Sequence, residues 1–254
     1  MGATDVVLLL AAGLTAGIVN SVAGGGSLVT FPALIATGLP PVPANVTNSV
    51  SVCPGYLASV AGSWPDLRGQ RRRAAELLPT AVVGATAGCV LLLTTPAEVF
   101  DVVVPFLVLG AAGVLAFQER LRRLVGHPHA MPEWRRRLSL HLLAGIGAVY
   151  GGYFGAALGV VLVAVLALVI DESMARINAL KNVLSATLGL VTVLVFGLVG
   201  PVHWVSVAVL VPATIAGGYS GAVVARKLPS AVLRWGIVCY GVGIGVLLAV
   251  RAFA

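Results

Sequence analysis

Residues 6–38 read VVLLLAAGLTAGIVNSVAGGGSLVTFPALIATG, an apolar run broken once, at Gly24-Gly25-Gly26. A helix crosses a bilayer core with about 20 apolar residues, so this run is too long for one ordinary span. Glycine costs a helix about 1 kcal/mol relative to alanine, and three in succession favour a break. The stretch therefore reads as two helical arms around a glycine turn. The second arm, roughly 27–38, is too short to cross at a rise of about 1.5 Å per residue. A re-entrant hairpin is the expectation. A second long apolar segment lies at about 138–170, with its glycines gathered between Gly145 and Gly159. There Gly147, Gly151, Gly155 and Gly159 recur every four residues, which fits either a second hairpin or one continuous helix with a close-packing glycine face.

The rest of the chain is equally apolar. Of 254 residues, 59% are hydrophobic and 10% charged, and the mean hydropathy is +1.02. A soluble domain carries about 25% charged residues. Runs at 6–23, 44–64, 75–94, 99–117, 180–198, 203–225 and 231–250 hold almost no ionisable groups. They are continuous rather than alternating, which selects helices over a barrel. The net charge of +7 suggests nucleic acid only until the basic residues are placed. Arg68, Arg71, Arg72 and Arg73 sit in one short polar stretch, and Arg120, Arg122, Arg123, Arg135, Arg136 and Arg137 in another. That is the pattern of cytoplasmic loops lying against lipid headgroups, so the bilayer and not nucleic acid is the expected partner. Cys53, Cys89 and Cys239 all lie in apolar runs and form no metal or disulfide pattern. The N-terminus lacks a basic n-region, and no cleaved signal is expected.

The polar stretch 118–137, read as a basic cytoplasmic loop, separates a first transmembrane repeat, 1–117, from a second, 138–254. If both arginine stretches are cytoplasmic, 75–94 and 99–117 are the two spans between them, and Glu98 and Asp101 mark an external turn. Arg226-Lys227 marks another cytoplasmic turn, which makes the turn at Gly200-Pro201 external. It follows that 138–170 starts and finishes inside, and 6–38 outside. The expected fold is an all-α polytopic membrane protein with an inverted repeat. Each half is a re-entrant or broken hairpin plus three spans, about eight apolar elements in all. A plain eight-span bundle is the alternative, and it would leave Arg226-Lys227 outside.

A polar motif follows each hairpin: Pro41-Val-Pro-Ala-Asn45-Val-Thr47-Asn48-Ser49 in the first half, Ala175-Arg-Ile-Asn178-Ala-Leu-Lys181-Asn182 in the second. Residues three and four apart share a helix face. Asn45, Asn48 and Ser49 form one stripe, and Asn178, Lys181, Asn182 and Ser185 the other. Such groups are costly in hydrocarbon and face the protein interior or an aqueous path. Glycine turns leave backbone N–H groups free, and helix N-termini carry partial positive charge, so both favour an anion. Other readings stay open: helix N-capping or interhelical glue for the asparagines, and snorkelling to the interface for Lys181.

Other positions carry weaker signals. Tyr150 and Tyr153 fit a pocket wall or an interfacial belt, whereas Trp64, Trp204 and Trp235 suit a belt at span ends. His127, His129 and Trp134 belong to the loop, and His203 to the external turn. Asp171 and Glu172 are candidate proton carriers or plain loop charges, and Pro54-Gly55 and Pro212 are candidate kinks. No catalytic, cofactor or metal motif is present, so no enzyme and no cofactor is expected.

The stretch from Gly17 through Asn20-Ser21 and Gly24-Gly25-Gly26 to Pro32 and Leu34 resembles the first glycine-rich motif of the TauE/SafE family, the sulfite-exporter-like membrane proteins. Gly38-Leu-Pro40-Pro41 with Ala44-Asn45-Val-Thr47-Asn48 is similar to its continuation. Tyr150-Gly151-Gly152-Tyr-Phe-Gly155 and Asn178-Ala-Leu-Lys181-Asn182 resemble the second-half counterpart. Ala156-Ala157 and Ser49 depart from the pattern, where many members carry glycine and arginine respectively. The resemblance implies export or exchange of a small anion across the inner membrane, often a sulfur oxyanion or organosulfonate, coupled to the proton gradient. The expected substrate lining is Asn20, Ser21, Gly24, Gly25, Gly26, Asn45, Thr47, Asn48, Asn178, Lys181 and Asn182. A passive anion facilitator and a non-transporting scaffold or sensor are the competing functions. A second copy of the chain is a candidate partner.

Overall fold

The computed structural model describes residues 1–22, 24–117, 120, 132–224 and 230–253. Ten α-helices and no strand occur among the described residues. The loop reading for 118–131, including His127 and His129, and the turn at Arg226-Lys227 lie outside them, Arg120 excepted. The protein is a polytopic helical membrane protein. Five helices, within Ala3–Ser21, Arg71–Thr94, Ala97–Ala116, Met174–Val199 and Trp204–Gly221, are long and apolar enough to cross a membrane.

The first hairpin pairs α1 (Ala3–Val22) with the ten-residue α2 (Ser27–Ala36). At the break Gly24 adopts φ 85°, and its N–H donates to the Val19 carbonyl at 2.8 Å. At about 1.5 Å per residue α2 covers half of a bilayer core. The second hairpin pairs α6 (Glu133–Tyr153) with α7 (Leu158–Val169), after α3 (Pro41–Gly62), α4 (Arg71–Thr94) and α5 (Ala97–Ala116). Trp134 to Arg137, expected in the loop, form the first turn of α6. The continuous-helix alternative for 138–170 is ruled out. The N–H groups of Phe154 and Gly155 both fold back on the Tyr150 carbonyl, Gly155 has φ 71°, and Ala157 holds the left-handed φ of 54°. Gly151 then faces Leu158, and Gly147 faces Leu162, so the second arm runs back along the first.

The chain ends on α8 (Met174–Val199), α9 (Trp204–Val224) and α10 (Ser230–Phe253). One long, one short and three long helices thus follow the same order in each half: long, short, long, long, long. α1 packs on α9, and α6 on α4; α3 meets α8, and α5 meets α10. Exchanging the two sets of five helices carries these pairings onto each other.

The ends of the molecule differ in charge. Arg136, Leu140, Val169, Ile170 and Asp171 line one polar cleft of about 350 Å³, so the second hairpin starts and finishes at the same end. Glu172 pairs with Arg176 at 2.8 Å and Arg73 at 3.5 Å there, a structural role for this loop carboxylate. The first hairpin opens at the other end of α8. There the Ser206 hydroxyl donates to the Met1 sulfur at 3.7 Å, and the His203 N–H donates to Thr47 Oγ1 at 2.9 Å.

Polarity runs opposite to that of a soluble protein. Leu198 is 76% exposed and Val83 71%, whereas Lys181 is 1% exposed. The outer apolar faces suit lipid, and α3 and α8 carry the polar interior. Small residues let the backbones approach: Gly17 lies against Gly217 and Gly218, and Gly88 against Val149 and Gly152. An added Cβ at Gly88 collides with backbone, but at Gly110 it meets nothing within 4 Å. Gly88→Ala is therefore expected to destabilise the protein by about 1–3 kcal/mol through overpacking. Gly110→Ala leaves the unfolding midpoint in detergent unchanged or raised, and a thermal scan of both variants is the check.

Candidate functional site

Breaking a helix inside a protein leaves its last carbonyls without intrahelical partners, and buried carbonyls need others. At the end of α1 they are supplied from α8. Lys181 Nζ donates to the Asn20 carbonyl at 2.7 Å, and Asn178 Nδ2 to the Ser21 carbonyl at 2.9 Å. The C-terminal end of α1 is the negative pole of its dipole, which favours the lysine there. The Asn20 side chain turns the other way and accepts the Gly26 N–H at 2.8 Å, fixing the start of α2. Ser21 Oγ lies 2.6 Å from Ser59 Oγ and 2.7 Å from the Gly218 carbonyl, tying this turn to α3 and α9. Asn182 Nδ2 donates to Ser63 Oγ at 3.1 Å.

The second turn is held in the matching way from α3. Asn45 Nδ2 donates to the Tyr153 carbonyl at 2.9 Å, at the end of α6. One turn on, Asn48 Oδ1 accepts the hydroxyl of Thr30, which ties α3 to α2. The surroundings here are aromatic. Phe31 and Phe154 stack edge to face at 5.4 Å, and Phe100 meets Tyr153 at 5.9 Å. The Tyr150 hydroxyl donates to the Ala156 carbonyl at 2.5 Å within the turn.

The two turns touch. The Gly159 N–H donates to the Gly24 carbonyl at 3.1 Å, and an added Cβ on either glycine would strike the other's backbone. Beside this contact a small cavity of about 20 Å³ lies between α3 and α8. It is bordered by Ser27 and Leu158, the first residues of the short arms, and by Ser49, Tyr56, Ser185 and Thr192.

The expected lining residues thus fall into two groups. Asn20, Ser21, Gly24, Gly25, Gly26, Asn178, Lys181 and Asn182 gather at the first turn, and Asn45 and Asn48 at the second. Thr47 stands apart, bonded to His203. The N-cap reading falls away, because Pro40 and Ser173 hold the caps of α3 and α8. Snorkelling falls away for Lys181, which is buried and directed at α1. Tyr150 and Tyr153 are packed into the second turn, not set in a belt. The sequence reading missed Ser27, Tyr56, Ser59, Ser63 and Thr192. Tyr56 and Thr192 lie seven residues beyond Ser49 and Ser185, so extending the stripes by two turns reaches them.

Two broken hairpins meet at a buried polar centre inside a bundle of apolar helices, an arrangement that secondary transporters share. The family and relatives of this chain are those of a membrane transporter. The chain belongs to the sulfite exporter TauE/SafE family, whose model matches residues 9–248. It is similar to the probable membrane transporter protein YfcA of Escherichia coli K12, 28% identical over 221 residues, covering 82% of this chain and 76% of that protein. A probable membrane transporter protein of Haemophilus influenzae is 27% identical over 233 residues, covering 87% and 86%. The probable membrane transporter protein ORF9 of a Sinorhizobium species is 29% identical over 154 residues, covering 59% and 56%. No solved structure matches the chain.

The side-chain bonds to the hairpin ends make a direct prediction. Asn45→Ala and Asn178→Ala each strand a carbonyl and are expected to cost about 1–3 kcal/mol. Ser49→Ala, whose hydroxyl bonds only its own helix at the Asn45 carbonyl, costs less. Unfolding midpoints of the three purified variants rank them.

Proposed function

We propose that the chain is a secondary transporter that exports or exchanges a small anion, coupled to the proton gradient, in the inner membrane. The substrate class is sulfite, another sulfur oxyanion or an organosulfonate. The observation that carries this reading is the convergence of α2 and α7. Both short arms begin at the shared centre, with Ser27 and Leu158 on the same cavity. Their N-terminal ends aim partial positive charge at one point, and Lys181 adds a buried cation nearby. The substrate is taken up in the region bounded by the two turns and the stripes containing Asn20, Asn45, Asn48, Asn178, Lys181 and Asn182.

The two halves are read as an inverted repeat, supported by hairpins that open at opposite ends of α8. The bodies that move are not the sequence halves. Close glycine contacts lock α1 to α9 and α4 to α6, so each hairpin carries a helix from the other half. Alternating access follows from rocking these interleaved bodies about the α3–α8 contact.

The test is flux in proteoliposomes. Sulfite or methanesulfonate uptake should rise with an imposed pH gradient and fall about tenfold or more in Lys181→Ala and Asn48→Ala, which remove groups that hold the turns. Wild-type rates in both variants would sink the assignment of the site. Uptake indifferent to the pH gradient would mark a passive facilitator.

A further inference from the structure

We propose that the cavity between α3 and α8 is where the anion itself is held, and that it takes a small monovalent oxyanion through hydroxyl groups, not through the asparagines of the turns. This rests on the transporter reading above. None of Asn45, Asn48, Asn178 and Asn182 borders the cavity. Asn45 and Asn178 each give one amide proton to Tyr153 and Ser21, and Asn182 donates to Ser63. Oδ1 of Asn45 and of Asn182 has no partner, and an amide oxygen repels an anion.

Ser185 is different. Its side chain is 1% exposed, its Oγ has no hydrogen-bond partner, and it borders the cavity. A hydroxyl buried without a partner is costly, and it can donate to an incoming oxygen. Ser27, Ser49, Tyr56 and Thr192 bring further hydroxyls to the same wall, and no carboxylate borders it. Those of Ser49 and Thr192 turn from the Asn45 and Gly189 carbonyls of their own helices when they donate to an anion. The first residues of α2 and α7 close the ring, so both half-helix dipoles point inward. Lys181, one turn before Ser185 on α8, is the one buried cation among the described residues. The N-terminal poles of α2 and α7 are offset by the C-terminal poles of α1 and α6 at the same turns, so one formal positive charge remains to match one negative charge.

At about 20 Å³ the cavity admits one oxygen-sized group. The rest of the anion fits when α3 and α8 part, which is the motion alternating access requires. Binding and opening are therefore the same step at this place.

The experiment compares methanesulfonate, formate and sulfate in proteoliposomes for the wild type, Ser185→Ala, Ser49→Ala and Thr86→Ala, the last on an exposed face of α4. KM for the monovalent anions is expected to rise about tenfold in Ser185→Ala and less in Ser49→Ala, with kcat within a few-fold. Unfolding midpoints stay within a few degrees of the wild type, Thr86→Ala transports as the wild type does, and sulfate competes poorly. An unchanged KM in Ser185→Ala, including the case where only its unfolding midpoint falls, overturns this site and leaves the transporter reading standing. Sulfate competing as well as methanesulfonate overturns the monovalent class. Absence of saturable flux for every anion in the wild type overturns both readings together.

Discussion

Everything at the centre of this protein depends on how two interrupted helices satisfy their last carbonyls. α1 and α6 both stop inside the protein, where the freed backbone groups cannot turn to water. Side chains from the opposite half answer them: Lys181 and Asn178 from α8, and Asn45 from α3. The same bonds bury Lys181 and Asn45, and half-bury Asn178, in a chain whose exposed faces are rich in valine and leucine. Remove the breaks, and those side chains have no reason to be where they are.

Holding the turns also fixes what surrounds them. The first turn is polar, fastened through Ser21 to α3 and α9. The second is walled by Phe31, Phe100, Tyr153 and Phe154. The two closures on either side of the centre therefore differ in chemistry. One is a set of polar bonds, the other an aromatic wall fastened by Asn45. Glycine contacts between α1 and α9 and between α4 and α6 bring those backbones into direct contact.

Much of this architecture was legible in the residues. Three glycines announced the first break, and α2 begins at Ser27, directly after them. The second break was ambiguous because glycine every fourth residue serves a packing face as well as a turn. Ala157 decided nothing in the sequence, since alanine is the best helix former. In the structure it takes a left-handed conformation beside Gly155. The polar stripes were visible as spacing, but their partners were not. Asn178 and Ser21 are 157 positions apart, and no local rule joins them.

Hydrophobic runs, glycine breaks, the segregation of arginine and the two matched stripes were determined by the sequence alone, because each follows from transfer energies and helix geometry acting within one segment. Tertiary structure decided what those groups do. Burial between α3 and α8 turned the asparagines from N-cap candidates into bonds across the helices, directed Lys181 to a carbonyl and not to the interface, and left Ser185 facing a cavity without a partner. Such outcomes depend on which distant backbone ends where, and only the packed chain supplies that.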